Sequence, residues 1–413
     1  MSKYTYKILK ILDLKTINFN IIDKKCDIIN YIFNIDYKDH KYKNLKLDLK
    51  ILKKIHNNNK PLIFTQKIYN IINFKKFIDK YNNYELNFDN LNKINFKNYN
   101  ITHRDKLHKM IYNSSFVSVD IQHNAETIDL KYYDIYTEGF ELTLYIPLDL
   151  EFDIEINLQN IIEIIILMSN IAKQTKTYTK PKIVMFLSKQ KKYFPTEQNT
   201  VLSATNINSG ASITGEIIYI WRYEEYKKVL IHELIHYFML DYGYLNNKKL
   251  DDIPYKIFNI NGNNVCNESF TETLATLIYL IYISKKDNIN LNILINQEIN
   301  FLALQVAKII HHFDGNNNQE SFKIEIKQTT SVVSYYILKF YLMNNLQQFI
   351  DIIYKNNFKC TDNSEFIILI NNIFNNNIDN IDNINNLVNK YLIQIKNNND
   401  KKFVYRTLRM CCN

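Results

Sequence analysis

The sequence predicts an α+β fold, and three observations carry that expectation. Between residues 116 and 221, several short segments rich in Val, Ile, Thr, Tyr and Leu alternate in part, as half-buried strands do. Three longer apolar stretches, 156–174, 223–240 and 267–284, have helical spacing. Both flanks are rich in Lys and Asn, with apolar residues at helical intervals. The organisation expected is a helical region 1–112, a central α+β unit 113–285, and a helical region 286–413 that closes a cleft over it.

Taken in order, residues 1–112 read as amphipathic helices broken by loops such as Asn57-Asn58-Asn59-Lys60-Pro61. Segments 116–122, 128–136 and 140–147 read as strands, and 156–174 as a largely buried helix. Lys182 to Leu187 and Glu216 to Trp221 add two more strands. A helix over 223–240 follows, with Glu224 and Glu225 in a first turn that favours negative charge and Gly243 beyond its end. The Asn-rich stretch 371–399 keeps Ile and Leu at helical intervals and reads as helix plus loop.

Composition excludes several classes. At 413 residues the chain suits two or three packed units, and its 46% apolar share permits ordinary cores. About sixty Asn and an abundance of Ile and Lys stand against six Gly, five Pro and one Trp. These favoured residues have AT-rich codons, so the skew reads as genomic drift. The net charge of +9 is nearly all Lys, because Arg occurs only at 104, 222, 406 and 409. Lys scattered among acids reads as a solvated surface, and no specific nucleic-acid partner is expected. Cys26, Cys266, Cys360, Cys411 and Cys412 form neither an even framework nor a CxxC knuckle, which fits reduced thiols in an intracellular compartment. The first residues lack the apolar run of a signal peptide, and the longest nearly uncharged run, Thr273 to Ser284, is short for a bilayer. A soluble intracellular protein with no membrane partner is expected.

The chemistry concentrates at His232-Glu233-Leu234-Ile235-His236, an HExxH pentad. Two His at i and i+4 project from one helical face, so both imidazoles can reach one Zn²⁺, and the Glu between them can take a proton from metal-activated water. The flanks Leu230, Ile231, Tyr237 and Phe238 are uncharged, so the helix is buried and its polar groups need partners. A catalytic zinc takes three protein ligands and keeps a fourth position for water. The metzincin pattern would place Gly at 239 and His or Asp at 242. Met239 and Tyr242 stand there instead, with Asp241 one place off. Downstream, Asn267-Glu268-Ser269-Phe270-Thr271-Glu272 puts two carboxylates on one helical face. One of them can bind the metal while the other accepts the free N–H of a ligating His.

HELIH followed by NESFTE resembles the gluzincins, the thermolysin-like clan of zinc metallopeptidases. The resemblance covers about residues 210–285 and implies a zincin-like core, a small twisted sheet with two ligand-bearing helices. It also implies one zinc per chain held by His232, His236 and Glu268, with Glu272 behind a ligating His. The gap to Glu268 is longer than in thermolysin, and Glu272 stands where Asp is usual, so the order of the two carboxylates stays open. The stretch SGASITGEIIYIWRYEEYKKVLIHELIHYFMLDYG is also similar to HExxH proteins of large AT-rich DNA viruses.

Other residues complete the expected site. Two of the six glycines, Gly210 and Gly215, fall within six residues before the strand 216–221, which suggests either a turn or a close approach of substrate. His311, His312, Tyr335 and Tyr336 are candidates to stabilise an oxyanion. The end of the chain, YRTLRMCCN, reads as a solvated tail, although Arg406 and Arg409 could clamp a carboxylate. The function expected is hydrolysis of a peptide or protein substrate, with Glu233 as general base. The alternative is a catalytically silent zinc site that binds a partner.

Overall fold

In the computed structural model, residues 101–412 are described apart from 113, 137–138, 246, 288, 315–323, 357, 359, 376–377 and 398–405. Cys26, the Asn57–Pro61 loop and the helices expected over 1–100 lie outside the described residues. Helix α1 (Ile101–Tyr112) is followed by α2 (Val119–Thr127). The strand expected over 116–122 is therefore a helix. Val117 and Ile121 are buried, while Val119, which a strand would place on the same face, is 76% exposed. That is not the burial of an alternating strand, because Val117 lies in the turn before the helix and Ile121 lies within it.

Five strands form one sheet. Strand β1 (Leu130–Tyr136) pairs antiparallel with β2 (Glu141–Pro147), and β2 pairs in parallel with β3 (Lys182–Phe186) across helix α3 (Ile154–Thr175). The short α4 (Ala204–Ile207) leads to β4 (Gly210–Ile213) and β5 (Ile217–Ile220). Strand β5 runs parallel to β3, and β4 pairs antiparallel with β5 at the edge, giving the order β1-β2-β3-β5-β4. The sequence did not announce β4, whose four residues include a glycine and are only partly buried. Gly215, at φ +70, sits in the turn between β4 and β5.

Alternation along β2 and β3 divides the core. Leu144, Ile146, Ile183 and Met185 face the main cluster with α3, whereas Tyr145, Val184, Phe186 and Trp221 face α1. Because both faces are covered, β2 reads as a nearly continuous apolar run. Arg222, buried beside Trp221, makes no ion pair among the described residues. It donates to the carbonyls of Gln190, Lys191, Thr205 and Asn208, fixing the loop that enters β4.

The remaining elements are α5 (Tyr226–Tyr237), α6 (Lys248–Ile257), β6 (Ile260–Asn261), α7 (Asn267–Lys286), α8 (Leu291–Asp314) and β7 (Ile326–Lys327). A π-helix over Val333–Leu338 runs into α9 (Lys339–Asn344), followed by α10 (Leu346–Lys355), α11 (Ser364–Asn375) and α12 (Ile378–Asn397). The result is a mixed α+β protein. Its main core cluster runs without a break from Tyr133 to Cys411, so 286–412 packs into the same interior as the sheet. Helix α8 is long and apolar enough to cross a membrane, yet 83% of its most apolar window is buried inside the protein.

Two expectations along this chain are corrected. Glu224 and Glu225 precede α5 instead of filling its first turn, and Glu225 is its N-cap residue in the left-handed region at φ 62. The C-terminal residues are not a solvated tail, since Thr407, Leu408, Cys411 and Cys412 are all buried. Several of their backbone polar groups find partners inside the protein, which offsets the cost of burying them.

The approach to α7 is pinned by the short parallel pair β6–β7. Gly262, just beyond β6, has φ +117, and a Cβ there would stand 1.7 Å from the Gln328 carbonyl oxygen. The Gln328 side chain in turn donates to Asn263 O and accepts from Val333 N, tying the loop before α7 to the π-helix. Gly262→Ala is expected to lower unfolding free energy by about 3 kcal/mol or more, because backbone strain and a backbone clash add. Urea denaturation followed by circular dichroism measures the loss, and an unchanged midpoint would contradict it.

Candidate metal centre

Helix α5 is buried over nearly its whole length between α3, α7 and the β4–β5 edge. His232 and His236, one turn apart, face the same way, with Nε2 atoms 3.1 Å apart. Helix α7 brings in the third group from its first turn: Glu268 Oε2 lies 3.3 Å from His232 Nε2 and 3.4 Å from His236 Nε2. Two ligand atoms each about 2.0–2.1 Å from a tetrahedral ion stand about 3.3–3.4 Å from one another. The three atoms thus already form one face of a coordination tetrahedron of that size. Among the described residues this is the one cluster of three or more such groups that could hold a metal ion. Glu268 Oε2 is buried and makes no hydrogen bond, as fits an oxygen reserved for a cation.

A different carboxylate lies behind each imidazole. His236 Nδ1 meets Asp241 Oδ2 at 2.5 Å, and Asp241 is further held by Thr271 Oγ1 (2.7 Å), Asn267 Nδ2 (3.1 Å) and the Gly243 N–H (3.1 Å). Burial by itself would raise the Asp241 carboxyl. The facing imidazole and these donors hold it down at about 2, so it stays ionised. Behind His232, Glu272 Oε1 lies 3.5 Å from Nδ1, and Glu272 also pairs with Lys228 and, at 3.7 Å, with Lys339. The order of the two α7 carboxylates is thereby assigned: Glu268 faces both Nε2 atoms, and Glu272 faces only the back of His232.

Asp241 is the residue that sequence reasoning missed as a partner of His236. It reaches that place through the end of α5. The Leu240 N–H bonds to Ile235 O and the Met239 N–H to His236 O, closing a Schellman motif with Met239 in the left-handed region at φ 52. A non-glycine residue there costs about 1 kcal/mol or somewhat more, yet it turns the chain so that Asp241 returns beneath His236. An Asp five residues after the second His was visible in the sequence; the left-handed turn at Met239 was not.

Glu233 lies against β4 and lines the same small cavity as His232. A Cβ on Gly210 would stand 2.7 Å from Glu233 Oε1 and 2.9 Å from its Cγ, so the glycine makes room for this carboxylate. Gly215 serves the expected turn, whereas Gly210 is required by the chain's own Glu233 and Val229. Burial raises the Glu233 carboxyl, while the two imidazoles and a hydrogen bond from Ser212 oppose that rise. That cavity is also lined by Gly210, Val229, Tyr335 and Met410 among others.

The four candidate oxyanion residues separate. Tyr335 lines the cavity, with its ring centroid 6.3 Å from that of His232. Tyr336, next in the π-helix, turns the other way and donates to Leu408 O at 2.6 Å. His312 Nε2 meets Thr200 O at 2.9 Å, and His311 lies against Gln198 at the end of α8. Tyr336, His311 and His312 do not line the cavity, because each is engaged with a different loop. The chain matches no protein-family model and no curated protein.

Two outcomes follow from this geometry. Gly210→Ala is expected to displace Glu233 and destabilise the protein by about 1–3 kcal/mol while the bound-metal content stays at one per chain. Calorimetry with metal analysis tests it, and loss of metal in a folded variant would place Gly210's role elsewhere. The second outcome is a pH dependence. Burial would lower His236, but Asp241 and Glu268 outweigh it and raise His236 well above its ordinary value in the metal-free protein. That proton has to leave before a cation enters, so metal affinity should rise with pH, about tenfold per unit while His236 is protonated. Chelator competition between about pH 6 and pH 8 measures the slope, and a flat profile would contradict the protonated state.

Proposed function

We propose that this protein is a zinc metallopeptidase of zincin-like fold, with His232, His236 and Glu268 as the zinc ligands. The observation that carries the reading is the set of three ligand atoms 3.1–3.4 Å apart, with Glu233 directly between the two His in sequence. Two imidazole nitrogens and one carboxylate oxygen are a donor set suited to zinc, and three protein ligands leave a position open for chemistry. Zinc, when bound, supplies a Lewis acid that polarises a scissile carbonyl and acidifies water.

The chain's own residues do the rest. Glu233, buried and raised above the ordinary carboxylate range, accepts the proton of the attacking water and passes it to the leaving amine. Tyr335 lines the cavity beside His232, which makes it the candidate oxyanion donor of the four. Asp241 holds His236 in the tautomer that presents Nε2, and Glu272 places a carboxylate 3.5 Å behind His232. The edge strand β4 lies against α5 beside Glu233, where an extended peptide could add by backbone pairing. These features support a peptide or protein substrate.

Glu233→Gln separates chemistry from scaffolding, because it keeps size and hydrogen bonding but removes the proton acceptor. Expected is a folded protein with one zinc and turnover of a peptide library reduced about a hundredfold or more. His232→Ala should instead lose the metal. A Glu233→Gln protein with undiminished cleavage would sink the proposed mechanism. If neither protein cleaves peptides although zinc is bound, the site serves to bind a partner.

A further inference from the structure

Residues 407–412 run through the interior as a strap, and charged side chains from several elements bind its backbone. Glu225 Oε1 accepts the N–H groups of Met410 (2.8 Å) and Cys411 (2.6 Å), and Glu298 Oε2 accepts that of Cys412 (2.7 Å). Lys339 Nζ donates to Met410 O and Tyr336 to Leu408 O, each at 2.6 Å. Glu225, Glu298 and Lys339 are all buried. Withdrawing the strap would strip these charges of partners, which is strongly unfavourable, so the docked strap is the stable state.

At Met410 the strap meets the groups that stand behind His232. The Met410 carbonyl is held by Lys339, and its sulfur lies 3.9 Å from Lys228 Nζ. The same two lysines hold Glu272, Lys228 as an ion pair and Lys339 at 3.7 Å. Glu272 in turn stands 3.5 Å from His232 Nδ1, a buried nitrogen that makes no hydrogen bond. An imidazole that binds a cation through Nε2 carries its proton on Nδ1, and a buried N–H needs an acceptor. Glu272 is the carboxylate placed to serve it. His236 is served instead by Asp241, whose own partners are Thr271, Asn267 and Gly243.

We propose that Lys339 is a positioning residue for the metal centre, through which docking of the strap and binding of the metal support one another. With the strap docked, Lys339 is kept from water and aimed at Glu272, so that carboxylate is held behind His232. With the strap withdrawn, Glu298 loses the Cys412 N–H and draws Lys339, 3.5 Å away, toward itself. Water also reaches the network, and the attraction between the lysines and Glu272 weakens as the surroundings become wet. His232 then binds a cation less firmly. Coupling between two sites is reciprocal, so a cation at His232, His236 and Glu268 holds the strap closed by the same factor. The inference rests on the metal-site part of the proposed function and requires no peptidase activity.

The strap carries its own reporters, because the buried thiols of Cys411 and Cys412 meet an alkylating reagent only when it opens. Cys360, buried against Leu240 O and outside the strap, reports global unfolding. The experiment follows alkylation of each cysteine of the full chain by peptide mass spectrometry, metal-free and with one equivalent of zinc. In wild type, zinc is expected to slow labelling of Cys411 and Cys412 about tenfold, a usual size for such coupling, with Cys360 slower than both in either state. Lys339→Met should cut that zinc effect to about twofold. Tyr336→Phe loosens the strap without touching Lys339, so both rates should rise by one common factor and the zinc effect should persist. That pair of variants separates positioning by Lys339 from a merely structural role. His232→Ala, which cannot hold the metal, should show no zinc effect.

Strap labelling that is indifferent to zinc in wild type overturns the proposal, as does strap labelling no faster than that of Cys360. So does a zinc effect that survives undiminished in Lys339→Met or His232→Ala. If Lys339→Met does not fold, the wild-type and Tyr336→Phe rates still decide, since loss of the zinc effect in Tyr336→Phe would equally contradict a link through Lys339. Zinc protection of the strap in a protein that cleaves no peptide supports the coupling and sinks the peptidase reading. An unprotected strap in an active enzyme does the reverse.

Discussion

Compensation of buried charge is the constraint on which this molecule's architecture turns. Glu225, Glu233, Asp241, Glu272 and Glu298 are all buried, as are Lys192, Lys228 and Lys339. A carboxylate removed from water and left without a partner costs several kcal/mol, so each must meet a cation or a set of donors. Satisfying that demand fixes how the helices sit. Glu272 on α7 is held by Lys228 on α5 and Lys339 at the start of α9, and Lys339 also meets Glu298 on α8 at 3.5 Å. Four helices are locked in register by one chain of alternating charges, and His232 stands at its end.

The two imidazoles are consequently supported in different ways. Asp241 serves His236 from a tight turn of α5's own chain, with hydroxyl, amide and backbone donors completing its shell. Glu272 serves His232 from another helix and shares its charge with two lysines. Local geometry secures the first imidazole and long-range packing the second. Disturbing α8 or the strap therefore bears on His232 before it bears on His236.

Glycine use shows the same economy. Gly262 and Gly210 occupy positions where a single added carbon would strike the Gln328 carbonyl or Glu233 itself. Elsewhere the chain accepts left-handed backbone at Met239 and Glu225. The strain at Met239 is outweighed by bringing Asp241 to His236, and that at Glu225 by bringing its carboxylate to two strap N–H groups. Composition drift away from Gly has left it where sterics leave no substitute.

The sequence by itself determined those features that local periodicity encodes. The i, i+4 spacing of His232 and His236, the apolar flanks of α5, the pair Glu268 and Glu272 on one face of α7, and strands β1, β2, β3 and β5 were all legible, because each depends on residues a few places apart. The mistaken strand at 116–122 shows the limit of that signal: three alternating apolar residues suit either period until packing decides which of them is buried. Tertiary structure alone decided which carboxylate of α7 faces the ligand cluster, that Tyr335 rather than Tyr336 lines the cavity, and that 407–412 is a buried strap. Each of these is set by where distant segments come to rest. A short stretch with an arginine and two cysteines carries no mark of burial until Glu225, Glu298 and Lys339, all far from it in sequence, supply the partners that its backbone would otherwise find in water.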